Sequence, residues 1–282
     1  MQVSRSKFST EGRTFDWRKI STYLLLLGFY CLVFVPVLRS GYMYDDLLNF
    51  PTKGWCINND KNVMQMSLIY SRQWVCGGRL FPFSTYGYEV YYFLGNVVAY
   101  KIYLVLTTFL VGVLLSNICY KLTDSNKIRL FCMVLYPILV SLDCSYYNAM
   151  YGFCALTQLT CIYVFGAILL FFKYSESGLV RFQVLSCILL SIGLGTYEVA
   201  YALCLIFAVV SYAIYKKTLV AVKKILPQII TGCSWLALNI IVRILSKSTY
   251  SGVTVSFSKD TLFGFLKQLT GISSFGNWWL LS

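Results

Sequence analysis

The chain has 282 residues, of which 58% are hydrophobic and only 12% charged, whereas soluble globular domains carry about 25% charged residues. This composition predicts a polytopic membrane protein. The net charge is +13, but the basic residues lie in short loops between apolar runs, so membrane topology explains them better than nucleic-acid binding does. The chain contains no histidine, which excludes chemistry that depends on imidazole.

The apolar runs predict an all-α, polytopic transmembrane helical bundle with about seven spans, in a transmembrane domain covering residues 20–245. A spanning helix needs about 20 mostly apolar residues, and the third and fifth runs are short by that measure. In chain order the runs are Ile20–Leu38, Ile102–Tyr120, Leu130–Leu142, Ala149–Phe172, Phe182–Thr196, Val199–Tyr215 and Ile225–Leu245.

The distribution of charge predicts the orientation of this bundle. With the N-terminus inside, 14 of the 24 basic residues lie on the cytoplasmic side and 7 of the 11 acids lie outside. Cytoplasmic loops are enriched in Lys and Arg. Residues 1–19 are therefore predicted to be a cytoplasmic basic segment before an uncleaved signal anchor. Residues 39–100 and 246–282 are then external.

The first external segment, residues 39–100, is rich in aromatic residues and in short amphipathic pieces such as "GGRLFPFSTYGYEVYYFLG". Such sequence predicts interfacial helices lying on the membrane. Cys56 and Cys76 lie in this segment, whereas most of the other cysteines lie inside apolar runs. In an oxidising compartment the two would be able to form a disulfide, and otherwise they are free thiols.

Acidic residues lie at several predicted outer helix ends. Asp45 and Asp46, in "GYMYDDLLNF", follow the first run, Asp143 follows the third, and Glu198 lies in the turn "LGTYEVAY". Acids at membrane depth are costly and usually face a cavity or a partner. Two adjacent acids resist ionising together, which raises one pKa, and a carboxylate there can act as a general base.

The alternative for any of these acids is a solvated loop residue at the level of the lipid headgroups, and we adopt it for Asp60 and Asp260. Arginines share the outer side, and a guanidinium binds phosphate through its planar fork. Acids and arginines together suit a substrate that has a phosphate and a sugar. The alternative is that the arginines only pair with the acids or with lipid headgroups. No ligand spacing indicates a metal site.

The stretches "YMYDDLLNF", "GGRLFPF" and "GTYEVAY" resemble the GT-C superfamily of membrane glycosyltransferases, and most closely the bacterial O-antigen glucosyltransferases of the Gtr type. The resemblance covers about residues 15–280. Family members usually have more helices, so this chain would be either a compact relative or a truncated one lacking part of the acceptor site.

The resemblance implies an inverting glycosyltransferase of the bacterial inner membrane. Its partners would be a polyprenyl-phosphate sugar donor, a glycan or lipid-linked acceptor and membrane lipids, with no cofactor. Asp45 would be the catalytic base and Asp46 would orient it or hold the acceptor. Arg72 and Arg79 would bind the phosphate, and Glu198 would contact the sugar or the acceptor.

Two other functions stay open. A transporter or a flippase for lipid-linked glycans would need charged residues near helix midpoints or broken helices, and the runs contain few polar residues there. A non-catalytic subunit of a polysaccharide assembly would not need the acidic pair.

Overall fold

The computed structural model describes residues 17–43, 45–142 and 153–246, and every regular element within those ranges is helical. The predicted all-α class is confirmed. The helices are α1 (Trp17–Val33), α2 (Val35–Arg39), α3 (Asp45–Asn49), α4 (Thr52–Asn58), α5 (Val63–Cys76), α6 (Tyr86–Phe93), α7 (Val97–Thr123), α8 (Asn126–Leu142), α9 (Leu156–Ser177), α10 (Val180–Leu194), α11 (Val199–Leu203), α12 (Leu205–Tyr215) and α13 (Thr218–Leu245). A single 3₁₀ turn, Phe153–Ala155, precedes α9.

Three helices are long and apolar enough to cross a membrane, namely α7, α9 and α13. The chain is therefore a membrane protein by length and composition. The other predicted spans form shorter helices. The first run divides into α1 and α2, with a proline in the first turn of α2, where a missing N–H costs nothing. The third run lies in α8, a helix of 17 residues that contains Pro137.

The helices α7 and α9 run in the same direction and α13 runs the opposite way, so the bundle has two ends. At one end the side chains of Lys121 and Glu176 form an ion pair of 2.6 Å, and the Tyr215 hydroxyl donates to Ser175 Oγ at 3.1 Å. The other end, here called the site end, is where α2 and α13 finish and where α7 and α9 begin. The segment that carries α3 to α6 lies at the site end.

A layer of buried aromatic side chains extends from the middle of the bundle to the site end and includes Tyr30, Tyr91 and Tyr100. Tyr30 packs against α7 at Gly112, where an added Cβ would lie within van der Waals overlap of the Tyr30 hydroxyl oxygen. That hydroxyl donates to the carbonyl of Met133 at 3.0 Å. A second apolar core lies among α9, α10 and α12.

Two features hold the segment of short helices in place. A reciprocal capping box between Asn62 and Gln65 begins α5. The backbone N–H of Phe83 donates to the carbonyl of Gly195 at 2.9 Å, which ties the segment to the end of α10. Cys56 is buried with its thiol 3.6 Å from the sulfur of Met66, whereas Cys76 is exposed. Both are free thiols in this structure.

Candidate functional site

The acidic pair begins α3, and the two carboxylates occupy different environments. Asp46 is fully buried, whereas Asp45 is half-buried. The next two residues point the other way, because Leu47 and Leu48 are 55% and 80% exposed. Helical geometry separates adjacent side chains by about 100°, so only one of the two acids can face the core. This short helix therefore buries an acid and exposes leucines.

Asp46 is held by two tyrosines and a lysine. The hydroxyls of Tyr91 and Tyr100 both donate to Asp46 Oδ1, at 2.5 and 2.6 Å. Lys101 Nζ lies 3.9 Å from Oδ2, and the lysine side chain is also fully buried. Neither Nζ nor Oδ2 has a hydrogen-bond partner within the described part of the chain. Asp46 is thus enclosed by protein groups.

Burial dominates the ionisation of Asp46 and raises its pKa above the ordinary 3.8. Hydrogen bonds from Tyr100 and Tyr91 and the charge of Lys101 oppose this rise, and the neighbouring charge of Asp45 adds to it. The negative charge of Asp46 also raises the pKa of Tyr42, after burial as the larger cause. Burial therefore disfavours the negative charge of Asp46, and Lys101 and the two tyrosines offset only part of that effect.

The Asp45 side chain has no contacts of the kind that hold Asp46 within the described part of the chain. The Asp45 carbonyl accepts from Asn49 Nδ2 at 2.7 Å, but its carboxylate has no hydrogen-bond or ion-pair partner among the described residues. A half-buried, unpaired carboxylate can accept a proton from a bound hydroxyl. Asp45 is therefore the member of the pair that an incoming molecule can reach.

The turn before α9 closes the pocket around Asp46 from another side. The Cys154 N–H donates to the Tyr91 hydroxyl oxygen at 3.2 Å, and the Tyr86 hydroxyl donates to the Cys154 carbonyl at 3.1 Å. Cys154 and Ala155 have φ angles of 42° and 57°, a left-handed conformation that is costly for residues with a Cβ. The strained turn thus lies against the tyrosine that binds Asp46.

A third carboxylate, Glu89 of α6, lies near this turn. Its Oε1 accepts from Ser67 Oγ at 2.7 Å, and its buried Oε2 has no hydrogen-bond partner within the described part. Burial raises the pKa of the Cys154 thiol well above its ordinary value, and the charges of Asp46 and Glu89 raise it further. A raised pKa disfavours the thiolate, which is the nucleophilic form of a cysteine.

A cationic cluster lies elsewhere at the site end. Glu198 Oε1 is 3.6 Å from Arg79 Nη2 and 3.5 Å from Arg243 Nη2. The Glu198 side chain is 41% exposed, so solvent screens these pairs. Two guanidinium groups and one carboxylate leave a net charge of +1. The Arg79 guanidinium also lies over the ring of Phe81 at 5.8 Å, and that ring is 6.4 Å from the ring of Tyr197 in the aromatic layer.

The structure separates the two arginines that the sequence grouped as phosphate ligands. Arg79 joins Glu198, whereas Arg72 is exposed on α5 and makes no ion pair or hydrogen bond within the described residues. Asp60 is exposed, as expected for a loop charge. Asp143 and Asp260 lie outside the described residues, as do residues 1–16 of the predicted segment 1–19 and residues 247–282 of the predicted segment 246–282.

Sequence reasoning missed Lys101, Tyr91, Tyr100 and Glu89 as parts of the site. The signal for Lys101 was present, because a lysine followed by a long apolar run is costly to bury without a partner. The predicted span began at Ile102, immediately after it, so the lysine fell into the loop. Nothing in the sequence distinguishes Tyr91 and Tyr100 from the other 21 tyrosines. Arg243 was not among the predicted site residues.

An apolar cavity of about 350 Å³ lies between α10, α12 and α13. Its walls include Leu190, Phe207 and Leu236, with Gln228 as a polar member. Gln228 is already bonded, since its Oε1 accepts from Gln183 and its Nε2 donates to Ser186 Oγ. The cavity adjoins α13, the helix that ends near Arg243.

Comparison of the chain with known protein families, with curated proteins and with solved structures found no match.

Proposed function

We propose that the chain is a membrane glycosyltransferase that moves a sugar from a polyprenyl-phosphate donor to a glycan or lipid-linked acceptor. The observation that carries the proposal is the asymmetry of the acidic pair. Asp45 is half-buried and unpaired among the described residues, while Asp46 beside it is sealed by Tyr91, Tyr100 and Lys101. The arrangement provides one accessible carboxylate at the end of a helical bundle, where a lipid headgroup would lie.

In this mechanism Asp45 accepts the proton of the acceptor hydroxyl. The hydroxyl oxygen then forms a bond to the anomeric carbon, and the bond from that carbon to the phosphate oxygen breaks with inversion. Polyprenyl phosphate leaves with the electron pair. Cationic groups would stabilise its charge, and Arg79 and Arg243 are the described guanidinium groups that lie together at this end.

The remaining parts of the donor find matching chemistry in the same region. The isoprenoid chain needs an apolar surface, and the cavity beside α13 supplies one. Glu198, held between the two arginines, has a half-exposed carboxylate that can accept hydrogen bonds from sugar hydroxyls. The proposal thus assigns phosphate, chain and sugar to neighbouring surfaces.

The topology belongs to the same proposal. A GT-C-like bundle of about seven spans, with the N-terminus in the cytoplasm of a bacterium, would place the site end on the non-cytoplasmic face. In support, the described helix ends and turns at the opposite end contain Lys121, Lys127, Lys216 and Lys217, which fits the enrichment of Lys and Arg on the cytoplasmic side.

Sugar transfer in isolated membranes tests the proposal. The native chain is compared with Asp45→Asn and with the matched control Asp60→Asn, at equal protein amounts, using a radiolabelled sugar on polyprenyl phosphate. Loss of a general base lowers the rate by about 10²–10⁴-fold. We expect that loss for Asp45→Asn alone. Equal transfer by all three chains would remove Asp45 from catalysis, and absence of transfer by the native chain with every donor tried would refute the proposal.

The transporter reading is less well supported by the described residues. In the long helices the charged side chains lie within about two turns of an end, as Lys101 does in α7 and Arg243 in α13. Ion-coupled carriers place ionisable groups near the membrane midplane. Ion- or proton-dependent flux through reconstituted protein would favour that alternative.

A further inference from the structure

The two adjacent acids of α3 compete for one buried position. Both precede the leucines of the same short helix, and a rotation of about 100° would exchange them. A helix of 5 residues has too few backbone hydrogen bonds to fix its own rotation. Side-chain contacts must therefore decide which acid faces inward.

Lys101 is the strongest determinant of that choice. It is fully buried, and its only charged partner in the described chain is Asp46, at 3.9 Å. An ammonium group without a counter-charge is very costly inside a protein. Lys101 belongs to the first turns of α7, so the helix holds its backbone in place beside Asp46. A single buried lysine can therefore select the one carboxylate that meets it.

The tyrosines add directionality to the selection. Both hydroxyls converge on Asp46 Oδ1, which leaves Oδ2 facing the lysine. The Tyr91 hydroxyl also accepts from the backbone of Cys154, so the turn before α9 fixes the tyrosine that fixes the acid. Buried polar groups are known to specify one arrangement among close alternatives, even where their net contribution to stability is small.

We propose that Lys101 is a positioning residue that selects Asp46 for the interior and thereby presents Asp45 to the acceptor. The inference rests on the proposed function, because it assigns Asp45 the role of base. Lys101 itself touches no substrate. Within the described part of the chain, the titratable groups that face Asp46 from the surrounding elements are Tyr42, Asp45, Tyr91, Tyr100, Lys101 and Cys154.

Carboxyl footprinting tests the selection without any need for activity. Membranes are treated with a water-soluble carbodiimide and glycine ethyl ester, and modified peptides are sequenced by mass spectrometry. In the native chain we expect label on Asp45 and none on Asp46. In Lys101→Met the protection of Asp46 should be lost. The control Lys53→Met, which changes an exposed lysine of α4, should give the native pattern.

A milder variant tests the selection even if Lys101→Met fails to fold. Tyr100→Phe keeps the ring and removes one hydrogen bond to Asp46, so partial labelling of Asp46 is expected with the fold intact. Continued protection of Asp46 in both variants would overturn the selection, and so would protection of Asp45 in the native chain.

Kinetics then connect the selection to transfer. A displacement of about 1 Å at a reacting group can cost about 10²-fold in rate. Per folded molecule, Lys101→Met should lower kcat by about that factor and leave KM for the donor unchanged. A purely structural role would lower the folded amount but not kcat. If native membranes transfer no sugar while the footprint still follows Lys101, the proposed function fails and the selection of Asp46 stands.

Discussion

Lys101 Nζ lies 3.9 Å from Asp46 Oδ2, and both side chains are completely buried. Such a pair adds little stability compared with apolar residues of the same size, because both charges lose their hydration. Removing one partner is a different matter, since it leaves the other charge uncompensated. The pair should therefore be sensitive to single changes and tolerant of paired ones.

A double-mutant cycle tests this coupling. Lys101→Met and Asp46→Asn should each destabilise the protein, Lys101→Met by about 3–5 kcal/mol if Asp46 stays charged and by less if it takes up a proton. The double variant should be less destabilised than the sum, with a coupling of about 0.5–3 kcal/mol. Thermal unfolding in one detergent measures all four chains. Strict additivity would show that the two groups do not interact.

The stability of the native chain should depend on pH through Asp46. Burial raises its pKa in the folded state above the ordinary 3.8, so over the interval above 3.8 the folded state binds more protons than the unfolded state. The free energy of unfolding therefore falls as the pH rises through that interval, by at most about 1.4 kcal/mol per pH unit.

Asp46→Asn is the matched variant for this prediction, because an amide cannot titrate. The stability advantage of the native chain over Asp46→Asn should be greatest below pH 3.8 and should shrink as the pH is raised. Unfolding temperatures at a series of pH values on both sides of 3.8 measure it. An advantage that grows with pH would mean that Lys101 and the tyrosines outweigh burial.

How far the sequence could predict this site differs between its two parts. The acidic pair and Glu198 stood out because acids next to long apolar runs are rare. Which of the two acids faces the interior could not be predicted, because it depends on contacts between α3, α6 and the start of α7. Tyr91 and Lys101 follow Asp46 by 45 and 55 residues. Hydropathy and spacing contain no information on such contacts. They placed both acids at an outer helix end, and the structure gives one accessible and one sealed carboxylate.

The helices follow a similar pattern. The apolar runs predicted helices in the right places, because a backbone in lipid must satisfy its own hydrogen bonds. Their ends were less predictable. The first run contains Pro36, and the helix divides at Phe34. The run that began at Ile102 extends back to Val97, where Asn96 caps the helix by accepting from the N–H of Val98.

Arg79 and Arg72 should differ in their effect on donor binding. Arg79 lies with Glu198 and Arg243, whereas Arg72 is exposed and makes no ion pair within the described residues. A charge-assisted contact to phosphate contributes about 1.5–3 kcal/mol. Arg79→Gln should therefore raise KM for the donor by about tenfold or more, and Arg72→Gln should leave it unchanged. Equal effects of the two substitutions would place the phosphate elsewhere.

Gly195 joins the segment of short helices to the end of α10, and its lack of a side chain permits that contact. A Cβ there would lie 2.6 Å from Phe83 Cδ2 and 2.8 Å from Trp235 Cη2, so both rings would have to shift. Gly195→Ala should destabilise the protein by about 1–3 kcal/mol, as overpacking does. It should also weaken the contact that places Arg79 beside Glu198. Gly28→Ala is the control for this prediction. Nothing lies within 4 Å of a Cβ at Gly28, and alanine favours a helix over glycine by about 1 kcal/mol. Thermal unfolding should therefore separate the two variants in opposite directions. If Gly195→Ala unfolds like the native chain, the rings can move aside and the segment is held by its other contacts.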